Sequence, residues 1–102
     1  MIVEADSIVA QSTEQVAEEI DGEVVMMSIP RGSYYGLDGV GARIWGLINE
    51  PRRVSDLCEV LLTEYDVERA SCETQVLRFL NDMVAQGLVE SGHFSRVGAP
   101  RV

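Results

Sequence analysis

Ser33-Tyr34-Tyr35-Gly36-Leu37-Asp38-Gly39-Val40-Gly41-Ala42-Arg43-Ile44-Trp45-Gly46-Leu47-Ile48 is the stretch in which the chain changes period. Up to Leu37 the residues favour a strand, because aromatic side chains pack well on a pleated surface. From Asp38 onward, Val40, Ile44, Leu47 and Ile48 recur at helical spacing, with Trp45 beside that stripe and Asp38 placed as an N-cap. A strand therefore runs directly into a helix, and the two sides of this junction have different organisation.

Upstream, residues 14–37 read as three strands in two consecutive hairpins. The run from Glu14 to Ile20 has no cleanly apolar face and reads as a solvated outer strand. Asp21-Gly22 supplies a tight turn in which both residues take positive φ. Glu23-Val24-Val25-Met26-Met27-Ser28-Ile29 is nearly all apolar, as a middle strand contacted on both faces should be. Pro30-Arg31-Gly32 turns the chain again into the tyrosine strand. Downstream, Pro51 ends the first helix. Ser55 is placed to cap a second helix, with Leu57, Val60, Leu61 and Leu62. Asp66 is placed to cap a third, with Cys72, Val76, Phe79, Leu80 and Met83 on one face. Gly87 stops that helix, and Leu88 is set for the apolar contact that accompanies a Schellman ending. The expected architecture is α+β and winged-helix-like: a three-stranded antiparallel meander followed by three helices packed on one face of the sheet. Residues 1–13 read as a flexible or partly ordered segment, 14–90 as the domain and 91–102 as a tail, with 1–7 and 95–102 frayed.

The chain has 102 residues, with 17 acids against 8 bases and a formal charge of -9. Every base is an arginine. This length holds one modest core, burying about two-thirds of the unfolded surface, and no separate catalytic domain. The negative charge opposes attraction to phosphate backbones and anionic lipid and steers basic partners inward. No apolar run approaches a membrane span and the first residues lack the basic start of a secretory signal, so a reduced, cytoplasmic protein is expected.

The residues give little support to catalysis. His93 is the one histidine, and Cys58 and Cys72 lack the close pairing of a metal site, so two buried thiols and an exposed imidazole are the simpler account. Cysteine catalysis needs a base beside the thiol, and His93 sits in the ragged C-terminal segment. Glu18 and Glu19, adjacent on a strand, point to opposite faces. Gly36, Gly39 and Gly41 lack the GxxxxGK[ST] pattern of a phosphate loop. Neither a catalytic residue, a metal nor a cofactor is expected. A winged-helix DNA reader would present the third helix to a groove, and Glu68, Glu73 and Asp82 on that helix disfavour it.

Peptide binding remains. The strand Ser33–Leu37 has one neighbour in sequence and carries no charge to blunt its edge, so an extended peptide can add to it as a further strand. On the third helix, Leu77, Leu80 and Val84 form a second apolar row flanked by Glu73 and Asn81. Laid alongside the edge, that row would make an apolar groove with a negative rim, suited to a peptide with apolar anchors and basic residues. Alternatively, Leu77 and Val84 complete the core.

The stretch from Gly32 to Ile48, together with Asp21-Gly22-Glu23 before an apolar strand and the late Leu80…Gly87-Leu88-Val89, resembles PqqD-like proteins. These are small RiPP recognition elements that bind leader peptides in ribosomal peptide natural-product pathways. Over residues 14–90 the chain is most similar to the stand-alone leader-binding B proteins of split lasso-peptide systems, and more distantly to the pyrroloquinoline quinone synthesis member. The resemblance implies a winged-helix-like fold and a leader paired antiparallel with the third meander strand and packed against the third helix. In lasso systems that leader carries a Tyr-x-x-Pro element. By position, the peptide-binding residues would be Ser33, Tyr34, Tyr35, Gly36 and Leu37 on the strand and Glu73, Val76, Leu77, Leu80, Asn81 and Val84 on the helix. The implied role is non-catalytic: the leader is captured and presented to a leader-removing cysteine protease, with a macrolactam-forming cyclase as a further partner. A peptide chaperone for a radical-SAM modifying enzyme is the alternative within the family, and a winged-helix DNA-binding protein the distant one outside it.

Overall fold

A computed structural model describes residues 3–92. In chain order the elements are β1 (Ile8–Gln11), β2 (Gln15–Ile20), β3 (Glu23–Ser28), β4 (Ser33–Leu37), α1 (Gly39–Leu47), β5 (Arg52–Arg53), α2 (Val54–Glu64), α3 (Arg69–Ala85) and β6 (Val89–Gly92). The α+β, winged-helix-like meander-then-helices architecture read from the sequence is present, with β2, β3 and β4 antiparallel in that order. Asp21 (φ 53°) and Gly22 (φ 83°) form the two-residue turn between β2 and β3, in the primed geometry that matches the right-handed twist of the strands.

A second sheet, of order β5-β1-β6, was not anticipated. In it Ile8 pairs with Gly92 and Arg53, and Gln11 with Val89. The segment read as flexible or partly ordered is built into the fold from Val3 onward, and the frayed reading of residues 1–7 does not hold for 3–7. Val3 is 2% exposed and its backbone N–H and C=O are both bonded to the Asn81 side chain on α3. The tail at 93–102 lies outside the described residues.

The same segment explains helix ends that the sequence reading placed on side chains. Neither α2 nor α3 has a side-chain cap. The first N–H groups of α2, on Val54 and Ser55, donate to the carbonyls of Ser7 and Ala5 at 2.9 Å, so α2 begins at Val54 rather than after a Ser55 cap. Helix α3 begins at Arg69 after Glu68, two residues beyond the expected Asp66 cap. Asp38 does occupy the N-cap position of α1, without a side-chain bond. At the end of α3, Gly87 (φ 79°) donates to Val84 and Leu88 to Met83, both at 3.0 Å, which is the paired bonding of a Schellman motif.

The core forms where the inner face of the meander meets the helices and β1. Met26, Ile48, Leu57, Leu61, Leu80 and Leu88 are all below 2% or at 2% exposure, and Trp45 is buried among them. Asn81 fastens Val3 over this core, so Asn81→Ala leaves the Val3 amide and carbonyl without their partner. The expected loss is about 1 to 3 kcal/mol of folding stability, measured by urea denaturation.

Candidate functional site

Strand β4 pairs with β3 on one side, in the register Met26↔Tyr35 and Met27↔Tyr34, and has no strand on its other side among the described residues. Alternation along the strand sends Tyr34 and Gly36 to the outer face of the sheet and Tyr35 and Leu37 to the inner one. Tyr34 is accordingly 73% exposed, whereas Tyr35 and Leu37 are half-buried against the core. Ser33 is also half-buried, and Gly36 is exposed.

Helix α3 lies along this open side. The Tyr35 hydroxyl donates to Gln86 Oε1, and Arg31 Nη2 donates to the Ala85 carbonyl at 3.0 Å. Nearer the start of α3, a Cβ on Gly41 would stand 3.4 Å from Phe79 and 3.6 Å from Leu37 Cδ2. Gly41 therefore lets α1, β4 and α3 meet at one corner. The helix face turned to β4 is thus the row Gln75, Phe79, Asp82 and Gln86, at spacings of four, three and four residues.

The structure brings only part of the expected helical set to the β4 side. Leu77, Asn81 and Val84 lie roughly 140–180° around the helix from Gln86, and Asn81 is committed to Val3 and to the Leu77 carbonyl. Glu73 lies toward α2, where Arg69, bridged to Glu59 at 2.8 Å, comes within 3.9 Å of it. Leu80 and Val76 are buried core residues at 0% and 3% exposure. Of the expected helix residues only Val76 reaches a cavity on the β4 side.

That cavity, about 460 Å³, opens between α1 and α3 and is lined by Val40, Gly41, Ile44, Val67, Val76 and Phe79. Its size is that of a small-ligand pocket. Its walls are mostly apolar, with Asp66, Tyr65 and Gln75 as polar members. Gly41 in its lining sits beside Leu37 at the C-terminal end of β4, while no β4 residue lines the cavity itself. Arg43 holds α1 to the end of α2 near this cavity with bonds of 2.9 and 2.6 Å to Glu64. Its guanidinium lowers the pKa of the Glu64 carboxyl.

The arrangement provides shape and backbone partners rather than reactive groups. Among the described residues no group of three or more His, Cys, Asp or Glu side chains is gathered to hold a metal ion, and no helix is long and apolar enough to cross a membrane. Cys58 and Cys72 are both buried, and burial first, then the neighbouring Cys72 thiol, pushes the Cys58 thiol up to about 12. A thiol with that pKa carries almost no thiolate near neutrality and is a poor nucleophile.

The family comparison falls on this feature. The family described as coenzyme PQQ synthesis protein D matches residues 23–89, from β3 into β6. The chain belongs to the PqqD family. Two solved structures share its fold. The structure of TbiB1 in complex with the TbiA(beta) leader peptide is 36% identical, with a TM-score of 0.75, and the match covers 79% of this chain and 94% of that one. The lasso peptide synthetase B1 complexed with the leader peptide is 21% identical, with a TM-score of 0.72 and coverage of 80% and 96%. No curated protein sequence matches the chain.

The sequence reading did not single out Gln75, Phe79 and Gln86 as the helix face turned to β4. Phe79 was assigned to the core row, and a face reading Gln-Phe-Asp-Gln does not announce an apolar wall. The buried thiols give a direct check on the site's chemistry. In the folded protein, Cys58 and Cys72 should resist iodoacetamide at mildly alkaline pH and both react once denatured, as counted by intact mass.

Proposed function

We propose that this PqqD-family protein is a non-catalytic leader-peptide recognition protein of lasso-peptide maturation. It takes the precursor's leader as an antiparallel strand added to β4 and presents it to a leader-removing cysteine protease in the cytoplasm. The observation that carries the reading is the open β4 edge beside an apolar cavity, in a chain 36% identical to TbiB1, a protein whose structure holds a leader peptide.

The physical roles divide between backbone and side chains. Ser33, Tyr34, Tyr35, Gly36 and Leu37 offer main-chain donors and acceptors, which bind any extended segment. Specificity comes from what surrounds them. Tyr35, Leu37 and Phe79 wall the inner side, and the cavity by Val40 and Gly41 receives an apolar or aromatic anchor such as those of a Tyr-x-x-Pro element. Gly36 leaves space beside the edge for a bulky leader side chain. The charge of -9 speeds the approach of a leader carrying basic residues, with an on-rate that falls as salt rises. Bound this way, the precursor reaches the protease at raised effective concentration, and a cyclase would act after leader removal.

Anisotropy of a labelled Tyr-x-x-Pro leader, with a scrambled control, tests the reading. Saturable binding lost on scrambling is expected. Val40, 41% exposed, stands in the first turn of α1, where a carboxylate suits the helix dipole. Val40→Asp should therefore keep the melting temperature while weakening leader binding by about tenfold or more, and Phe79→Ala should weaken it by about 1 to 3 kcal/mol. Leu77→Ala, on the far side of α3, should change affinity by no more than about twofold. Saturable binding of leaders from a radical-SAM pathway in place of lasso leaders would move the protein to that branch of the family.

A further inference from the structure

The meander has a second open edge, and a cleft lies beside it. Strand β2 pairs with β3 alone among the described residues. Ile29 donates to the Glu14 carbonyl, and in this register that makes Val16, Glu18 and Ile20 the residues whose backbone bonds to β3. The N–H and C=O groups of Ala17 and Glu19 therefore point outward. Both residues line a cleft of about 540 Å³ between β2 and α1, with Gln11, Ala42, Trp45 and Gly46 on its other walls. Gly39 and Gly41 of α1 are accounted for, by a positive φ and by packing against Phe79. Gly46 has neither reason: it is exposed, and a Cβ there would meet nothing within 4 Å. Glycine inside a helix is destabilising relative to alanine, and the use it serves is the close approach of another backbone.

The acids around the cleft decide its occupant. Glu14, Glu18, Glu19, Asp21 and Glu23 crowd the β2–β3 hairpin, and no described arginine bridges any of them. Arg43, at the rim, is held by Glu64. The complement is an extended segment that brings cations and no acid. Residues 93–102 have that composition: Arg96 and Arg101 stand among small and apolar residues, whereas all 17 acids of the chain lie before residue 93. A second copy would bring like charge instead.

Reach supplies the second argument. Gly92 pairs with Ile8 at one end of β1, and Gln11 at the other end lines the cleft. The return along β1 is about 10 Å and the length of β2 about 20 Å. Ten residues of extended chain span up to about 33 Å. We infer that residues 93–102 add to the β2 edge as an intramolecular strand seated in the cleft by Gly46, with Arg96 and Arg101 over the hairpin carboxylates. The protein thereby closes one edge of the meander with its own chain and leaves β4 as the edge at which a separate peptide adds. This guard stands whether or not a leader is what β4 takes.

Residue-resolved hydrogen exchange of the full chain at low salt reads the guard at the Ala17 and Glu19 amides. Arg96→Glu/Arg101→Glu should lower their protection by about fivefold or more. Adding Glu18→Arg/Glu19→Arg to that variant should restore it, because the charges are then exchanged rather than lost. Gly46→Gln, which favours the helix while filling the cleft, should also lower protection at Ala17 and Glu19 while α1 keeps its own. Leader anisotropy on the same samples should be unchanged. Equal protection at Ala17 and Glu19 in wild type and the arginine variant overturns the guard. So does protection lost along Ser33–Leu37 together with tighter leader binding, since the tail would then lie on the other edge. Protection that rises with protein concentration overturns it as well, because the neighbour would be a second copy.

Discussion

The fold depends on one thread of backbone, residues 3–12, that closes the ends of the other elements. Its carbonyls at Ala5 and Ser7 receive the first N–H groups of α2. Gln11 bonds the Ile48 carbonyl with its backbone and the Trp45 carbonyl with its side chain, satisfying the C-terminal end of α1. Ser12 donates to the Leu88 carbonyl just past α3. Helix ends leave backbone groups that must find partners once buried, and here a neighbouring stretch of chain supplies them where side-chain caps are lacking. Five hydrogen bonds thereby tie three helices to one strand of backbone.

Because that thread builds its own sheet with β5 and β6, the meander is left as a separate layer. It is attached by its inner face, through Val24 and Met26 in the core, and by a few ties from β4 and its preceding turn to α3. Its strands gain no further neighbour, and β4 stays open beside a helix whose near face is part polar. An edge in this state is normally an aggregation hazard. The acids of the β2–β3 hairpin and the net charge of -9 oppose the approach of a second copy to that edge.

How much of this the sequence showed follows from where the physics is local. The meander, its Asp21-Gly22 turn and the Gly87-Leu88 ending were readable because turn geometry is dictated by the residues that make it. The switch from Leu37 to the Val40–Ile48 stripe was readable because period is a local property too. The second sheet was not. Its strands have four, two and four residues, and such runs are defined by partners 43 to 84 positions away. With Val3 not yet placed, Asn81 had no visible partner, and whether Leu77 and Val84 faced a peptide or completed the core stayed open; the structure packs both against the core and bonds Asn81 to Val3. Phe79 went the other way, since an aromatic beside Val76 and Leu80 reads as core until the space above Gly41 is seen. The open edge was legible because Ser33–Leu37 has a single neighbouring strand in sequence, as it does in the sheet.

The pairing of β1 with β6 also sets an order of events during synthesis. Ile8–Gln11 leaves the ribosome well before its partner Val89–Gly92. The hairpins of the meander close within a few residues and can form as they emerge. The β1–β6 ladder can close only when the returning strand arrives, so the second sheet is completed after the meander and after the helices have been made.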